Sequence, residues 1–246
     1  MTTGQRKGSR AAEAGQARQL VLELPLTPGM GREDFLATPA NEAALKAISE
    51  WPAGRPGEPF ALALVGPEGC GKSHLAEIWR LEHDALRATV ADLSVEAVPQ
   101  LLARSNLVLE GLPAGDAAAR EWETALFHLL NLARQEGGHV LLTSRISPPR
   151  WPVALPDLKS RLAALPMAEL LPPDDMLLRA VLVKLFADRQ LIVPEEVISY
   201  LLLRMERSLG AARRLVAALD AAALREQRRI TRPLAAKVLA ELESEQ

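Results

Sequence analysis

One eight-residue segment constrains this chain more than any other. Residues 66–73 read Gly-Pro-Glu-Gly-Cys-Gly-Lys-Ser, which matches the pattern G-x-x-x-x-G-K-[ST]. An apolar run, residues 60–65, precedes the match, and a helix is predicted from His74 to about Glu82. A strand, a glycine-rich turn and a helix in this order form a loop whose backbone N–H groups surround phosphate. The segment therefore predicts a nucleotide-binding α/β domain.

The residue types in this loop predict how it would hold a nucleotide. The glycines let backbone N–H groups turn inward, Lys72 supplies positive charge to the β- and γ-phosphates, and the Ser73 hydroxyl can ligate Mg²⁺. ADP or ATP with Mg²⁺ is therefore the predicted cofactor. The predicted nucleotide contacts come from Gly66, Pro67, Glu68, Gly69, Cys70, Gly71, Lys72, Ser73 and His74.

Short apolar runs alternate with helical periodicity in the middle of the chain. Residues 107–109 and 140–142 are continuous apolar runs that end in polar residues, and residues 88–91 form a weaker run. Apolar residues at helical spacing fill the interval 122–133. Strands that are buried on both faces and separated by helices indicate βαβ units. The predicted fold class is therefore α/β with a parallel sheet.

Polar residues at the strand ends are candidates for chemistry. Glu110 follows the second run and is a candidate Mg²⁺ ligand, the alternative being a glutamate that simply ends a strand. Active P-loop NTPases usually carry a second acid beside this one. Here that position is Gly111, so efficient ATP hydrolysis is not expected. Thr143 and Ser144 end the next run. Either hydroxyl can hydrogen-bond the γ-phosphate or the attacking water, unless both merely end the strand.

Composition narrows the classes of partner. The 246 residues carry 29 basic and 31 acidic side chains, and this near balance excludes a uniformly basic nucleic-acid-binding surface. A single cysteine excludes an intramolecular disulfide and a zinc site built from several cysteines. No apolar run approaches the ~20 residues that span a bilayer, and no signal sequence is evident. A cytoplasmic protein that does not contact a membrane is predicted.

The last part of the chain changes to helical signals only. Asp174 can cap a first helix, Pro194 suits the first turn of a second, a third is predicted from Gly210 to about Arg229, and Thr231 can cap a fourth. Residues 1–18 are small and polar and carry four basic side chains against one acidic. The predicted division is a flexible tail over 1–27, an α/β base over 28–170 and a helical lid over 171–246.

The order of these elements resembles that of AAA+ ATPases, and within them the DnaA branch. Residues 69–75, Gly-Cys-Gly-Lys-Ser-His-Leu, resemble its Gly-x-Gly-Lys-Thr-His-Leu. Residues 157–162 resemble its Ser-Arg-[Phe/Leu] element, which implies that Arg161 is an arginine finger. Residues 212–219 resemble its lid sensor element, which implies that Arg213 reaches bound nucleotide, with the adjacent Arg214 as competitor. Similar segments in relatives place residues 35–41 against the nucleotide base.

A second resemblance concerns the tail. Residues 19–24, Gln-Leu-Val-Leu-Glu-Leu, resemble the hexapeptide by which bacterial proteins bind the replicative sliding clamp. The implied clamp contacts are Gln19, Leu20, Leu22 and Leu24; alternatively these residues form an edge strand on the chain's own core. Such a tail before a lone DnaA-type module is the layout of the Hda/HdaA family, the regulatory inactivators of DnaA. Residues 127–132 and 151–158 resemble alphaproteobacterial members, and the resemblance covers about residues 19–243.

This resemblance implies a regulator of chromosomal replication initiation. Such a protein binds nucleotide, docks on the DNA-loaded clamp (the β subunit of DNA polymerase III) and presents Arg161 to DnaA-bound ATP. It contacts DNA only indirectly, and self-association stays open. Glu110-Gly111 and Arg145, which stands where many relatives have Asp, depart from the family pattern and predict weak intrinsic ATPase activity. The alternatives are a self-sufficient DnaA-like or helicase-loader-type ATPase, a DNA-binding initiator, and a clamp adaptor without a working nucleotide site.

Overall fold

The computed structural model describes residues 31–32, 35–113 and 121–244. The predicted clamp contacts Gln19, Leu20, Leu22 and Leu24 lie outside the described residues. The strands are β1 Ala61–Val65, β2 Leu86–Thr89, β3 Asn106–Leu112, β4 His139–Ser144 and β5 Met167–Glu169. They form one parallel sheet in the order β2-β3-β4-β1-β5. The predicted parallel α/β sheet is confirmed.

Helices cover both faces of the sheet and then continue alone. The helices of the first part are α1 Glu42–Ser49, α2 Lys72–Glu82, α3 Val98–Leu101, α4 Glu121–Glu136 and α5 Pro156–Ala163. The helices of the last part are α6 Asp175–Asp188, α7 Glu195–Leu202, α8 Leu209–Glu226 and α9 Arg232–Ser244. The predicted helical lid is confirmed, and the Asp174 side chain caps α6 by accepting a hydrogen bond from the Leu177 N–H at 2.7 Å.

Three apolar cores hold these layers together. One lies between the sheet and α4, a second between the sheet and helices α1 and α2, and a third joins α6 to α9. All five residues of β1 are buried, as a central strand covered on both faces requires. None of the described helices is long and apolar enough to cross a membrane.

Two strands differ from the sequence-based expectation. β2 ends at Thr89 instead of continuing through residue 91, because Asp92 accepts hydrogen bonds from the Thr89 N–H and hydroxyl at 2.8 and 2.7 Å. These bonds turn the chain into a single 3₁₀ turn. β5 was not predicted: it has three residues, of which only Ala168 is buried, so it leaves no apolar run in the sequence.

A bulge in β3 sets the geometry of the sheet edge. Leu109 pairs with Leu142 and Leu112 pairs with Ser144, so β3 advances three residues while β4 advances two. Glu110 and Gly111 occupy this irregular stretch, and Gly111 has φ +86°. That backbone conformation favours glycine over any residue with a side chain. The glycine at the position of the missing second acid therefore has a local structural cause.

The helix that follows the loop of residues 66–71 is fixed by tryptophans. Trp79 of α2 is fully buried and stacks on Trp51, with ring centroids 5.2 Å apart and planes at 12°. The Trp79 indole N–H also donates to the Trp51 carbonyl at 2.9 Å. These contacts hold α2 against the sheet, so that its first residue, Lys72, keeps a defined position at the sheet edge.

A buried carboxylate ties α4 to the chain segment that leads into α5. Glu123 is 4% exposed, and its Oε2 accepts hydrogen bonds from the Ala154 and Leu155 N–H groups at 3.0 and 2.8 Å. A charged acceptor of two backbone donors is a strong local constraint. It fixes the start of α5, which carries Arg161.

We expect Glu123→Ala to lower the free energy of unfolding by about 2–3 kcal/mol, because two buried N–H groups lose their acceptor. Urea denaturation followed by circular dichroism measures the change. Gln135→Ala, an exposed position on the same helix, is the control and should change stability by less than about 0.5 kcal/mol. Equal effects of the two substitutions would show that the Glu123 bonds contribute no stability.

Candidate functional site

Residues 66–71 connect the end of β1 to the start of α2. The first residue of α2 is Lys72, which brings a positive charge to this loop. The Lys72 Nζ donates hydrogen bonds to the Gly66 and Pro67 carbonyls at 2.8 and 2.7 Å. The ammonium group therefore lies against the loop backbone, within reach of any phosphate that the loop surrounds. Lys72 makes no ion pair among the described residues, so its charge is available to an anion.

Each glycine of the loop has a steric reason to be there. A Cβ at Gly66 would lie 2.4 Å from the Leu170 carbonyl oxygen. A Cβ at Gly69 would lie 2.4 Å from the Cβ of Ser208, and Gly69 also has φ +70°. Gly71 has φ +107° and begins α2. The loop is therefore a tightly packed cradle, and the helix N-terminus behind it favours negative charge.

The lid contacts this loop directly. The Leu209 N–H donates to the Gly69 carbonyl at 2.8 Å, and the Ser208 side chain accepts from the Ala211 N–H at 3.0 Å. Ser208 thus caps α8 at the place where its backbone meets Gly69. The first turn of α8 is held on the phosphate loop, and the lid side chains that follow are carried to the same cleft.

An open cleft of about 670 Å³ lies beside the loop at the edge of the sheet. The residues that line it include Lys72, Ser73, Glu110, Gly111, Thr143 and Arg145. The carboxyl ends of parallel strands meet at one edge, and ligands of such sheets bind there. The structure therefore brings the predicted phosphate, acid and hydroxyl residues together, although their roles stay predictions.

The two hydroxyl candidates have different surroundings. The Ser144 hydroxyl donates to the Ile146 carbonyl at 2.7 Å and accepts from the Trp151 indole N–H at 3.2 Å. These bonds shape the turn that follows β4, so Ser144 has a structural task. Thr143 lines the same cleft as Ser144, and its role at the γ-phosphate or the attacking water stays a prediction.

Glu110 is already engaged by another residue. Its Oε2 accepts from the Arg87 Nε at 2.8 Å and also from the Arg87 Nη2. Gly111 offers no second carboxylate, and among the described residues no group of three or more metal-binding side chains is close enough together to hold an ion. A carboxylate whose charge is matched by a guanidinium does not fit the predicted Mg²⁺ ligand. The metal contacts predicted for Ser73 and Glu110 stay predictions.

A smaller pocket of about 60 Å³ lies between the base and the lid. Its walls include Phe35, Leu36 and Asn41 from the segment predicted to face the nucleotide base, together with Cys70 and His74. The Phe35 and His74 rings meet edge to face at 5.3 Å. Aromatic and apolar walls with a few polar groups are typical of ligand pockets, although this one is smaller than the roughly 300–1,000 Å³ usual for them.

The lid supplies the other wall of this pocket, and sequence reasoning missed most of it. The lid residues at the pocket are Leu177, Val181, Lys184, Leu185, Asp188, Leu209 and Arg213. Only Arg213 belongs to a recognisable motif. The residues from α6 carry no local signal, because their position depends on how the lid packs on the base.

The structure separates the two adjacent lid arginines. Arg213 lines the pocket between base and lid, whereas Arg214 pairs with Glu206 at 3.3 Å and lines a different pocket within the lid. Arg213 makes no ion pair among the described residues. The geometry thus favours Arg213 over Arg214 as the residue that reaches a nucleotide.

Cys70 lies inside the phosphate loop and is 2% exposed. Burial raises the pKa of its thiol, although the nearby Lys72 ammonium acts in the opposite direction. The thiol therefore stays protonated at neutral pH and acts as a small packing group against the loop.

Arg161 lies apart from both clefts. Its guanidinium lies 5.1 Å from the centroid of the Phe127 ring, so α4 and α5 are joined by a cation–π contact. Arg161 is not among the residues that line the phosphate cleft or the pocket under the lid. Its role as an arginine finger stays a prediction.

Comparisons with known proteins agree with these observations. A family model described as "Hda, lid domain" matches residues 175–239. An uncharacterized protein of Haemophilus influenzae is 30% identical over 194 residues, which cover 74% of this chain and 82% of that protein. The lid match coincides with the helices whose first turn and Arg213 reach the candidate site.

Solved structures share the fold. Domain III of the replication initiation protein DnaA from Thermotoga maritima has a TM-score of 0.71 at 21% identity, covering 89% of this chain and 98% of that chain. AMPPCP-bound DnaA from Aquifex aeolicus has a TM-score of 0.63 at 19% identity, covering 78% of this chain and 65% of that chain. At these identities the likeness is one of fold.

We expect Gly69→Ala to loosen the contact between loop and lid, because the new Cβ would collide with Ser208. Gly54→Ala is a matched control: Gly54 has φ +68° and open space around it, so it tests the backbone strain alone. Hydrogen exchange of the Leu209 amide, measured by NMR, should be at least about tenfold faster in Gly69→Ala than in the wild type. Unchanged protection of Leu209 would mean that this contact does not hold the lid.

Proposed function

Since the chain belongs to the Hda/DnaA-related AAA+ proteins, we propose that it is a regulator of chromosomal replication initiation. It binds nucleotide, docks on the DNA-loaded sliding clamp and stimulates hydrolysis of the ATP bound to DnaA. The observation that carries this proposal is the match of the lid to the Hda lid domain. In addition, Arg161, the predicted arginine finger, is not among the residues that line the two clefts of this chain. The chain therefore acts mainly on a partner's nucleotide.

The nucleotide is ADP or ATP, bound between base and lid. Its phosphates lie at the cradle beside Lys72, and its base lies toward Phe35 and His74. Arg213 approaches from the lid, where a guanidinium can hydrogen-bond phosphate oxygens at two points. DnaA from Aquifex aeolicus, which shares this fold, is bound to the nucleotide analogue AMPPCP, and this supports nucleotide binding by the present chain.

Hydrolysis at this site is slow. The acid that would polarise the attacking water is absent, because position 111 in the bulge of β3 is a glycine with a positive φ. The proposed role of bound nucleotide is therefore to hold the lid and base in the arrangement that a partner recognises. A self-sufficient ATPase of the DnaA or helicase-loader type would need rapid turnover here, which Gly111 disfavours.

Arg161 acts in trans on DnaA. A guanidinium placed near the γ-phosphate of a neighbouring subunit stabilises the charge that develops during phosphoryl transfer, and such arginines contribute roughly 10³–10⁵ in rate. The Arg161 Cζ lies over the Phe127 ring at 5.1 Å from its centroid, a contact that uses the charge of the guanidinium without consuming its N–H donors. An association of identical copies, in which one Arg161 faces the next cleft, uses the same geometry.

Recruitment to DNA is indirect. Gln19, Leu20, Leu22 and Leu24 would dock as an extended peptide in the hydrophobic pocket of the clamp, which encircles DNA. The near-neutral charge of the chain supports this route, because direct binding to a duplex depends on surplus positive charge.

We expect Arg213→Ala to weaken ADP binding about tenfold or more, since it removes a charge-assisted contact from the lid. Isothermal titration calorimetry with ADP measures the dissociation constant. Arg214→Ala is the matched control, because the neighbouring side chain pairs with Glu206 away from the pocket. Equal losses in both variants would assign the effect to the charge of α8 as a whole.

We expect the wild type to accelerate ATP hydrolysis by DnaA in the presence of clamp loaded on DNA, and Arg161→Ala to lower the rate to that of DnaA alone. Arg161→Lys should also fail, because an ammonium cannot replace a planar guanidinium at two oxygens. Arg134→Ala, an exposed arginine of α4, is the control. Release of phosphate from DnaA-bound ATP is the measured quantity.

The double variant Gln19→Ala/Leu20→Ala separates docking from chemistry. It should lose the acceleration that depends on loaded clamp while binding ADP as the wild type does. A wild type that fails to accelerate hydrolysis would reject the regulatory proposal. An active Arg161→Ala would show that another residue supplies the charge.

A further inference from the structure

We propose that Arg87 neutralises Glu110 and thereby makes nucleotide binding by this chain independent of Mg²⁺. This inference rests on the proposed nucleotide binding and specifies the electrostatics of that site. It follows from the mismatch between the predicted magnesium ligand and the surroundings that Glu110 has in the structure.

The pairing is built into the sheet. β2 and β3 run parallel, with Arg87 opposite Val108 and Thr89 opposite Glu110. Arg87 and Glu110 are therefore diagonal neighbours on one face of the sheet, where long side chains meet. The Glu110 side chain is 13% exposed and that of Arg87 is 51% exposed, so the carboxylate is the better shielded partner.

The Arg87 guanidinium supplies the positive charge that a metal ion would otherwise bring to Glu110. Both Arg87 donors converge on Oε2 of Glu110, so the guanidinium balances the charge that this carboxylate would offer to a cation. Mg²⁺ gives up its hydration shell reluctantly and is usually held by one or two carboxylates together with phosphate oxygens. Two carboxylates line this cleft, Glu68 and Glu110, each is paired with an arginine, and Gly111 adds none.

An unpaired Glu110 would repel nucleotide phosphates, because it lines the same cleft as Lys72 and Ser73. In most nucleotide sites of this type a magnesium ion removes that repulsion by bridging acid and phosphate. Arg87 removes it permanently and without a soluble ion. The remaining charge of the phosphates faces Lys72 and Arg213, which make no ion pairs among the described residues, while Arg145 at the cleft is balanced by Glu68 at 2.8 Å.

The test compares ADP binding in excess MgCl₂ with binding in EDTA, by isothermal titration calorimetry. For the wild type we expect dissociation constants within about threefold of each other. In Arg87→Ala, and in Arg87→Met, which keeps the aliphatic stem, ADP binding in EDTA should weaken at least about tenfold and MgCl₂ should restore it. Arg104→Ala is the control: this arginine has a similar exposure, 52%, and pairs with Asp84 elsewhere on the surface.

A double variant identifies the cause. Arg87→Ala/Glu110→Gln should bind ADP in EDTA as the wild type does, because the repelling charge is gone together with its partner. Circular dichroism shows that each variant is folded before binding is compared. A merely structural role of Arg87 would weaken binding equally with and without MgCl₂ and would overturn the inference.

The outcomes also separate this inference from the proposed function. A wild type that binds ADP only with MgCl₂ would overturn the role of Arg87 and leave nucleotide binding intact. A wild type that binds ADP in neither condition would overturn both. The inference is established if the wild type binds ADP without MgCl₂ while Arg87→Ala and Arg87→Met need MgCl₂. The Arg87 guanidinium would then take the place of a metal ion at Glu110.

Discussion

The hydrogen bond between the Leu209 N–H and the Gly69 carbonyl joins the two halves of the molecule. The cradle, the pocket under the lid and the side chain of Arg213 all lie close to the place where this bond brings lid and base together. A carbonyl of the phosphate loop would otherwise need another donor, since buried backbone groups are rarely left unpaired. The lid is therefore placed by the same loop that would hold the phosphates.

The charge at the cleft depends on the sheet as well as on the phosphate loop. The bulge in β3 has a positive φ at Gly111, which favours glycine over an acid there, and the parallel register brings Arg87 to Glu110. The two features act in the same direction, because both reduce the negative charge at the cleft. A site of this kind is suited to holding a nucleotide and poorly suited to activating water. That combination agrees with a protein that supplies chemistry to a partner.

The sequence predicted those features that depend on neighbouring residues. The phosphate loop is a contiguous pattern, the central strands are continuous apolar runs, and the caps of α6 and the loop glycines are local requirements. Features that depend on register or packing were missed or left open. β5 is too short to leave a pattern, and Arg87 is separated from Glu110 by 23 positions. Arg213 and Arg214 were distinguished only by their side of α8, since successive helical residues point about 100° apart.

Nucleotide binding between base and lid has a consequence that follows from linkage. Suppose that ADP or ATP favours the arrangement in which Leu209 of the lid contacts Gly69 of the base. A partner that recognises this arrangement then binds the chain with higher affinity when nucleotide is present. Thermodynamic reciprocity requires that the partner then tightens nucleotide binding by the same factor. Engagement with DnaA would therefore raise the equilibrium affinity of this chain for its nucleotide, and the partner and the nucleotide would each favour the binding of the other.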